Sequence, residues 1–247
     1  MKKYFVFLVL AFSCLLLGGC GDDTAPTIEG VKENVNIQCG TDFNLTDYVS
    51  DKIKIKDDSG EDPEVTIDCD KKIYDNKTGK INTSVDGEYK VKISAKDAAG
   101  NTTDKEFTLK LNPIHITKKN KTPIVYDGKY AKIKLKEFSH GDVYDEQGYH
   151  IVSEVENKTD EALSINLTGR DGLTSINKHQ ISVYLFDDSD VIGAGLISTV
   201  DQAIYDEDIP DNVGTIKEIK TTYSIKKAGS DNRILTIPVI IDVNIAD

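Results

Sequence analysis

The chain has 247 residues, 38% apolar and 29% charged, which is enough to bury the cores of two domains of roughly 100 residues each and excludes both a disordered chain and a membrane-embedded body. Thirty Lys and Arg stand against 42 Asp and Glu, for a net charge of −12, so generic nucleic-acid binding is disfavoured. Trp is absent and the one Met is Met1.

Lys2 and Lys3 precede an uncharged run from Tyr4 to Leu17 that is apolar apart from Ser13. Fourteen residues fall short of the ~20 that span a bilayer as a helix, so the run reads as a secretion signal. It ends in Leu17-Gly18-Gly19-Cys20, which resembles the bacterial lipobox. That resemblance implies cleavage before Cys20 and a diacylglycerol or acyl modification on its thiol, the single covalent addition expected and in place of any other cofactor. Loss of Lys2 and Lys3 with the leader takes the net charge to −14. Gly21 to Thr24 then forms a tether of roughly 15 Å between lipid and first domain. The expected location is the extracellular face of the cell membrane, lipid-anchored.

From 25 to 112, apolar residues alternate in short segments: Val35 and Ile37, Ile53 and Ile55, Val65 and Ile67, Val91 and Ile93, and Phe107 with Leu109 and Leu111. Period two predicts half-buried strands, and turn formers at Asp57 to Gly60, Asp75 to Gly79 and Ala99 to Asn101 separate them. No stretch of ten or more residues has a helical pattern.

The segment from Gly87 to Asn101, with Gly87-Glu88-Tyr89 opening a strand and Asp97-Ala98-Ala99-Gly100-Asn101 closing it, resembles the bacterial immunoglobulin-like modules named after pesticidal crystal proteins. Ala25-Pro26-Thr27-Ile28, Cys39-Gly40 and Asp58 to Asp62 extend the likeness over nearly the whole domain. It implies a β-sandwich. In such a domain Tyr89 would hand its hydroxyl to a nearby backbone group and Gly100 would adopt the positive φ of a bulged turn.

Cys39 shares strand parity with Val35 and Ile37, and Cys69 with Val65 and Ile67, so both thiols should face the core. In an exported chain an even pair predicts a disulfide, Cys39 to Cys69, whose 30-residue loop would stabilise by roughly 3–4 kcal/mol, with two buried free thiols as the alternative. No Cys-x-x-Cys spacing points to zinc.

Residues 113–122 read as a basic linker. From 113 to 136 the chain carries seven lysines and one acid, net +6, and Lys118, Lys119 and Lys121 are candidates for binding a wall polyanion or lipid headgroups. Lys132, Lys134 and Lys136 alternate with Ile133 and Leu135, which favours the solvent face of a strand for them.

The rest, 123–247, again reads as strands: Tyr149 to Val155, Ala162 to Leu167, Gln180 to Phe186, Ile219 to Ile225 and Ile234 to Val243. Ile151 to Ile165, with Glu156-Asn157-Lys158-Thr159-Asp160 as its turn, is similar to extracellular immunoglobulin-like lipoprotein domains of Gram-positive bacteria. The fold expected is all-β, two Ig-like antiparallel sandwiches in tandem.

Chemistry is sparsely marked. Ser175-Ile176-Asn177-Lys178, Ser224-Ile225-Lys226-Lys227, Ser230-Asp231-Asn232 and Lys77-Thr78-Gly79 match the three penicillin-binding motifs, but in the wrong order and without a helix for the serine. His115, His140, His150 and His179 lack metal-ligand spacing, and no Gly-x-Ser-x-Gly elbow marks a hydrolase. Asp187, Asp188 and Asp190 are weak calcium candidates without EF-hand spacing, as is the cluster of Asp206, Glu207, Asp208 and Asp211; no other metal site is marked. The Asn-x-Ser/Thr matches reflect turn composition. The expected function is a non-catalytic binding or adhesion module of the bacterial envelope, not an enzyme. Its partners would be the membrane through the lipid and a wall polymer, carbohydrate or surface protein, with no nucleic acid. The alternative is a structural stalk or accessory subunit of an envelope complex.

Overall fold

The computed structural model describes residues 22–117, 123–143, 145–167, 174–177, 179–181, 184–185, 191–230 and 232–243. In the N-terminal half the chain runs β1 (Thr27–Glu29), β2 (Asn34–Gln38), α1 (Leu45–Lys52), β3 (Lys54–Lys56), β4 (Glu64–Cys69), β5 (Tyr74–Asp75), β6 (Lys80–Ile81), β7 (Gly87–Lys96) and β8 (Thr102–Asn112). The main sheet has the order β2-β8-β7-β4, with β2 parallel to β8 and the rest antiparallel. Its inner face carries the expected alternation of Val91, Ile93 and Ala95 against Phe107, Leu109 and Leu111, all buried. The β1–β3 pair, the β5–β6 hairpin and α1 add Ile28, Ile81, Leu45 and Val49 to the same core.

The helix was not apparent from apolar spacing, because eight residues bury only Leu45 and Val49. Its signal is in the cap. The Asn44 side chain accepts the Asp47 N–H at 3.2 Å, Asp47 and Lys52 sit at the ends the helix dipole favours, and the chain turns extended at Ile53.

At the far end of β7, the Asp97 carboxylate organises the hairpin turn. One oxygen accepts the Gly100 and Asn101 N–H groups at 2.6 and 2.7 Å, and the other accepts the Asn101 amide at 2.7 Å. Gly100 has φ +101, as the turn requires. The Asn101 amide also donates to the Asp22 carbonyl at 2.6 Å, which ties the tether to the domain. Burial pushes the Asp97 carboxyl up, but these donors outweigh it and hold the group below the ordinary carboxylate range. Tyr89 is half-buried on the core and its hydroxyl donates to the Asp86 carbonyl at 3.4 Å.

The C-terminal half is a two-sheet sandwich. Its strands are β9 (Ile114–Ile116), β10 (Ile124–Asp127), β11 (Ala131–Val143), β12 (Glu146–Asn157), β13 (Leu163–Leu167), β14 (Ser175–Ile176), β15 (His179–Gln180), β16 (Tyr184–Leu185), β17 (Val191–Ile192), β18 (Ile197–Tyr205), β19 (Glu218–Lys227) and β20 (Arg233–Asp242). One sheet runs β10-β11-β12-β18-β16. In the other, β19 is flanked by β20 on one edge and by β13 and β14 on the other, with β9 outside β20. Ile133, Ile151, Val155 and Ile204 of the first sheet face Ile165, Ile219, Tyr223, Ile225, Ile237 and Val239 of the second in one core. Ser153 and Tyr223 meet across it, oxygen to oxygen at 2.7 Å.

The basic linker requires correction at its start. Ile114–Ile116 forms β9, parallel to Val239–Ile241, and both isoleucines are buried in the second core while His115 points outward. The Ile-His-Ile alternation has the strand period but is too short to stand out. Lys132, Lys134 and Lys136 lie on the outer face of β11, as expected, with Lys134 at 2.8 Å and Lys136 at 3.4 Å from Glu154, and Lys132 at 3.3 Å from Asp127.

The turn after β12 depends on Asn157. Its amide, 1% exposed, donates to the carbonyls of Glu161, Ile192 and Gly193 at 2.8, 2.9 and 3.1 Å, and its side-chain oxygen accepts from Thr159. Asn157, the acceptor position of the sequon Asn157-Lys158-Thr159, is thus a buried structural residue.

Candidate functional site

The two sandwiches meet at the N-terminal half of β20 and at Lys220 of the neighbouring β19. Thr236 donates its N–H to Ser84 Oγ at 3.3 Å and its hydroxyl to the Ser84 carbonyl at 2.9 Å, and Lys220 pairs with Asp86 at 2.5 Å. Pro238, without an N–H, separates this stretch from the part of the edge that pairs with β9. The Tyr126 ring fills the seam. It packs on Gly40 and its oxygen receives the backbone N–H groups of Lys129 and Tyr130, although burial dominates and raises its pKa. Gly128 is required there, because a Cβ would stand 2.1 Å from the Tyr126 hydroxyl oxygen.

Beside the seam lies a cleft of about 580 Å³, with walls from residues 38–42 and 80–84 of the first sandwich and 124–130 and 234–235 of the second. Among the described residues, four charged ones line it, two of each sign: Asp42, Lys80, Asp127 and Lys129. Lys80 reaches Asp42 at 3.2 Å, with both side chains largely exposed. Asp127 is held by Lys158 and Lys132; the Lys158 hydrogen bond is the largest influence, and its carboxyl lies below the ordinary range. The Lys129 ammonium stands 5.4 Å over the Tyr130 ring. Ile124 and Ile234 line the same cleft at 51% and 37% exposure. Residues so far apart in sequence carry no shared motif, so nothing in the chain announced this grouping.

The residues singled out by sequence fare differently. Cys39 and Cys69 are both buried, but they are free thiols and the expected disulfide is not formed. Cys69 ends β4, while Cys39 extends β2 by donating its N–H to the Asn112 carbonyl, so β7 and β8 lie between them. Three strand spacings amount to roughly 14 Å, against a limit of ~7 Å between bridged Cα atoms. Burial is the main cause raising both thiol pKa values, Cys39 to about 12, which keeps them protonated and inert. Val65, on the parity of Cys69, is 41% exposed. Cys20, Lys118, Lys119, Lys121, Asp187, Asp188 and Asp190 lie outside the described residues.

His150 directs Nε2 at Asp201 and Nδ1 toward Glu137 at 3.9 Å, and Ser139, opposite it in the ladder, donates to Glu137 at 3.0 Å. Both imidazole nitrogens therefore face carboxylates, and Ser139 does not address the ring. His140 pairs with Asp206 at 3.0 Å. Ser175 and Ser224 lie on strands, and Lys77-Thr78-Gly79 is a turn closed on Asp75, so the penicillin-binding matches do not assemble. Among the described residues, carboxylates converge at Asp22, Asp57 and Asp58, with ligand atoms within 4.8 Å of one another. Asp57 there caps its own turn through Ser59.

No family model matches the chain and no curated protein matches it. Among solved structures it is similar to the Bacteroides ovatus mixed-linkage glucan utilization locus SGBP-B in complex with mixed-linkage heptasaccharide, at 11% identity and a TM-score of 0.26, covering 89% of this chain and 71% of that one.

Proposed function

We propose that this chain is a non-catalytic binding protein of the bacterial surface, anchored through an acylated Cys20 and taking its ligand in the cleft between its sandwiches. The cleft carries the reading. Its walls come from both halves, and the halves are fixed to each other by Ser84 with Thr236 and Asp86 with Lys220, so the site is formed before a ligand arrives. The lipobox-like end of the leader supports the anchor, and the short tether sets the first sandwich close to the membrane. The same rigid junction favours a second reading, a stalk or accessory subunit of an envelope complex, in which the cleft would stay open.

Hydroxyl-radical footprinting distinguishes the two. If the cleft is a binding site, Tyr130 and Ile124 are protected on intact cells and become reactive in the isolated protein. Equal labelling in both settings contradicts the binding reading.

A further inference from the structure

We infer that the cleft takes a neutral polyhydroxylated ligand, a short oligosaccharide, held between the Tyr130, Ile124 and Ile234 surfaces and the exposed Lys80–Asp42 pair; this rests on the cleft being the binding site. The volume of about 580 Å³ falls within the 300–1,000 Å³ range of small-molecule sites and is too small for a folded partner. Charge narrows the class. In a chain of net −12 the described lining residues sum to zero, and each of their charges already has an internal partner: Lys80 with Asp42, Asp127 with Lys158 and Lys132, Lys129 with the Tyr130 ring. A strongly charged ligand of either sign would have to displace one of these partners and would meet no excess of opposite charge.

A purely apolar ligand fits no better, since it would strip water from Asp42, Lys80 and Asn82 without replacing their hydrogen bonds. Vicinal hydroxyls suit what is exposed. The Asp42 carboxylate accepts and the Lys80 ammonium donates as charge-assisted partners, and the Asn82 oxygen caps the Ser84 N–H at 3.0 Å while its NH₂ remains to donate. The C–H faces of sugar rings match the remaining surface, the Tyr130 ring and the two exposed isoleucines. The ring face already accepts a cation from Lys129, an exposed contact worth no more than ~1 kcal/mol, which a ligand can displace.

The test is titration calorimetry of the full chain in detergent with cellohexaose, xylohexaose, mannohexaose and chitohexaose as neutral probes and poly(glycerol phosphate) as a polyanion. At least one neutral probe should bind equally at low and high salt. Lys80→Met should weaken that binding by about tenfold with unchanged melting temperature. Tyr130→Ala should weaken it as much while the chain remains folded by circular dichroism, although it melts lower because Tyr130 packs on the second core, and Tyr130→Phe should retain it. Failure of every neutral probe, or neutral binding that ignores both substitutions, overturns the inference. Salt-sensitive binding of poly(glycerol phosphate) alone, lost in Tyr130→Ala, overturns the neutral class while leaving the cleft as the site. Absence of all binding together with an unprotected Tyr130 on cells overturns both.

Discussion

Tyr223→Phe removes one oxygen from the centre of the second core and should destabilise the protein more than its size implies. Tyr223 and Ser153 are both fully buried, and their hydroxyls, 2.7 Å apart, join β19 of one sheet to β12 of the other. Deleting the phenolic hydroxyl strands Ser153 Oγ away from water, at a cost of roughly 1–3 kcal/mol, and Ser153→Ala strands the Tyr223 hydroxyl at similar cost. At ~2–4 °C per kcal/mol for a chain of this size, each single variant should melt several degrees lower. The double variant strands neither group, so it should be no less stable than the worse single one, giving a coupling energy of about 1 kcal/mol or more. Melts followed by circular dichroism, repeated as urea titrations, measure the cycle. Strictly additive losses would show that the two hydroxyls do not meet and that the sheets are not packed in this register.

Burial also raises the Tyr223 pKa from 10 to about 12. The unfolded chain ionises first, so this group's contribution is intact below pH 10 and is lost as pH rises toward 12, by roughly 2–3 kcal/mol. Tyr223→Phe should flatten that alkaline loss, as read from urea midpoints between pH 9 and about 12; an unchanged slope would contradict it. Asp97→Ala should open the turn at Gly100 and Asn101 and release Asp22, seen as faster amide exchange there, whereas exchange unchanged from the parent would contradict the cap. Because the Asp97 carboxyl is held low, its contribution is present above the ordinary carboxylate pKa and disappears as pH falls through its lowered value. Asn157→Ala should cost about 2 kcal/mol or more by stranding three carbonyls, measured by urea unfolding, and a loss under ~0.5 kcal/mol would refute the hub. Cys39 and Cys69 should resist a thiol reagent in the native protein and both react in urea; a non-reduced peptide linking them would restore the disulfide.

Much of the sandwich architecture was legible because a half-buried strand writes its two faces directly into sequence, as in Val91-Lys92-Ile93 and Phe107-Thr108-Leu109-Lys110-Leu111. Elements too short to repeat their period were not, hence β9 and α1. Parity placed Cys39 and Cys69 correctly in a core but could not tell that two strands separate them, since strand order is a long-range property. The cleft was illegible for the same reason. It depends on Ser84 meeting Thr236 across 152 positions, and its charged residues look in sequence like any solvated turn.

Ile124 and Ile234 stand on the second sandwich's side of the cleft, whereas Leu196 and Ile197, exposed at 60% and 64%, lie outside it. Methyl-labelled NMR of the full chain, titrated with whichever neutral hexaose binds, therefore tests the central claim most directly. Cleft binding requires Ile124 and Ile234 to shift saturably and together, with Leu196 and Ile197 unmoved. Shifts confined to Leu196 and Ile197, with the two cleft isoleucines silent at saturation, would place the binding surface elsewhere and contradict the account.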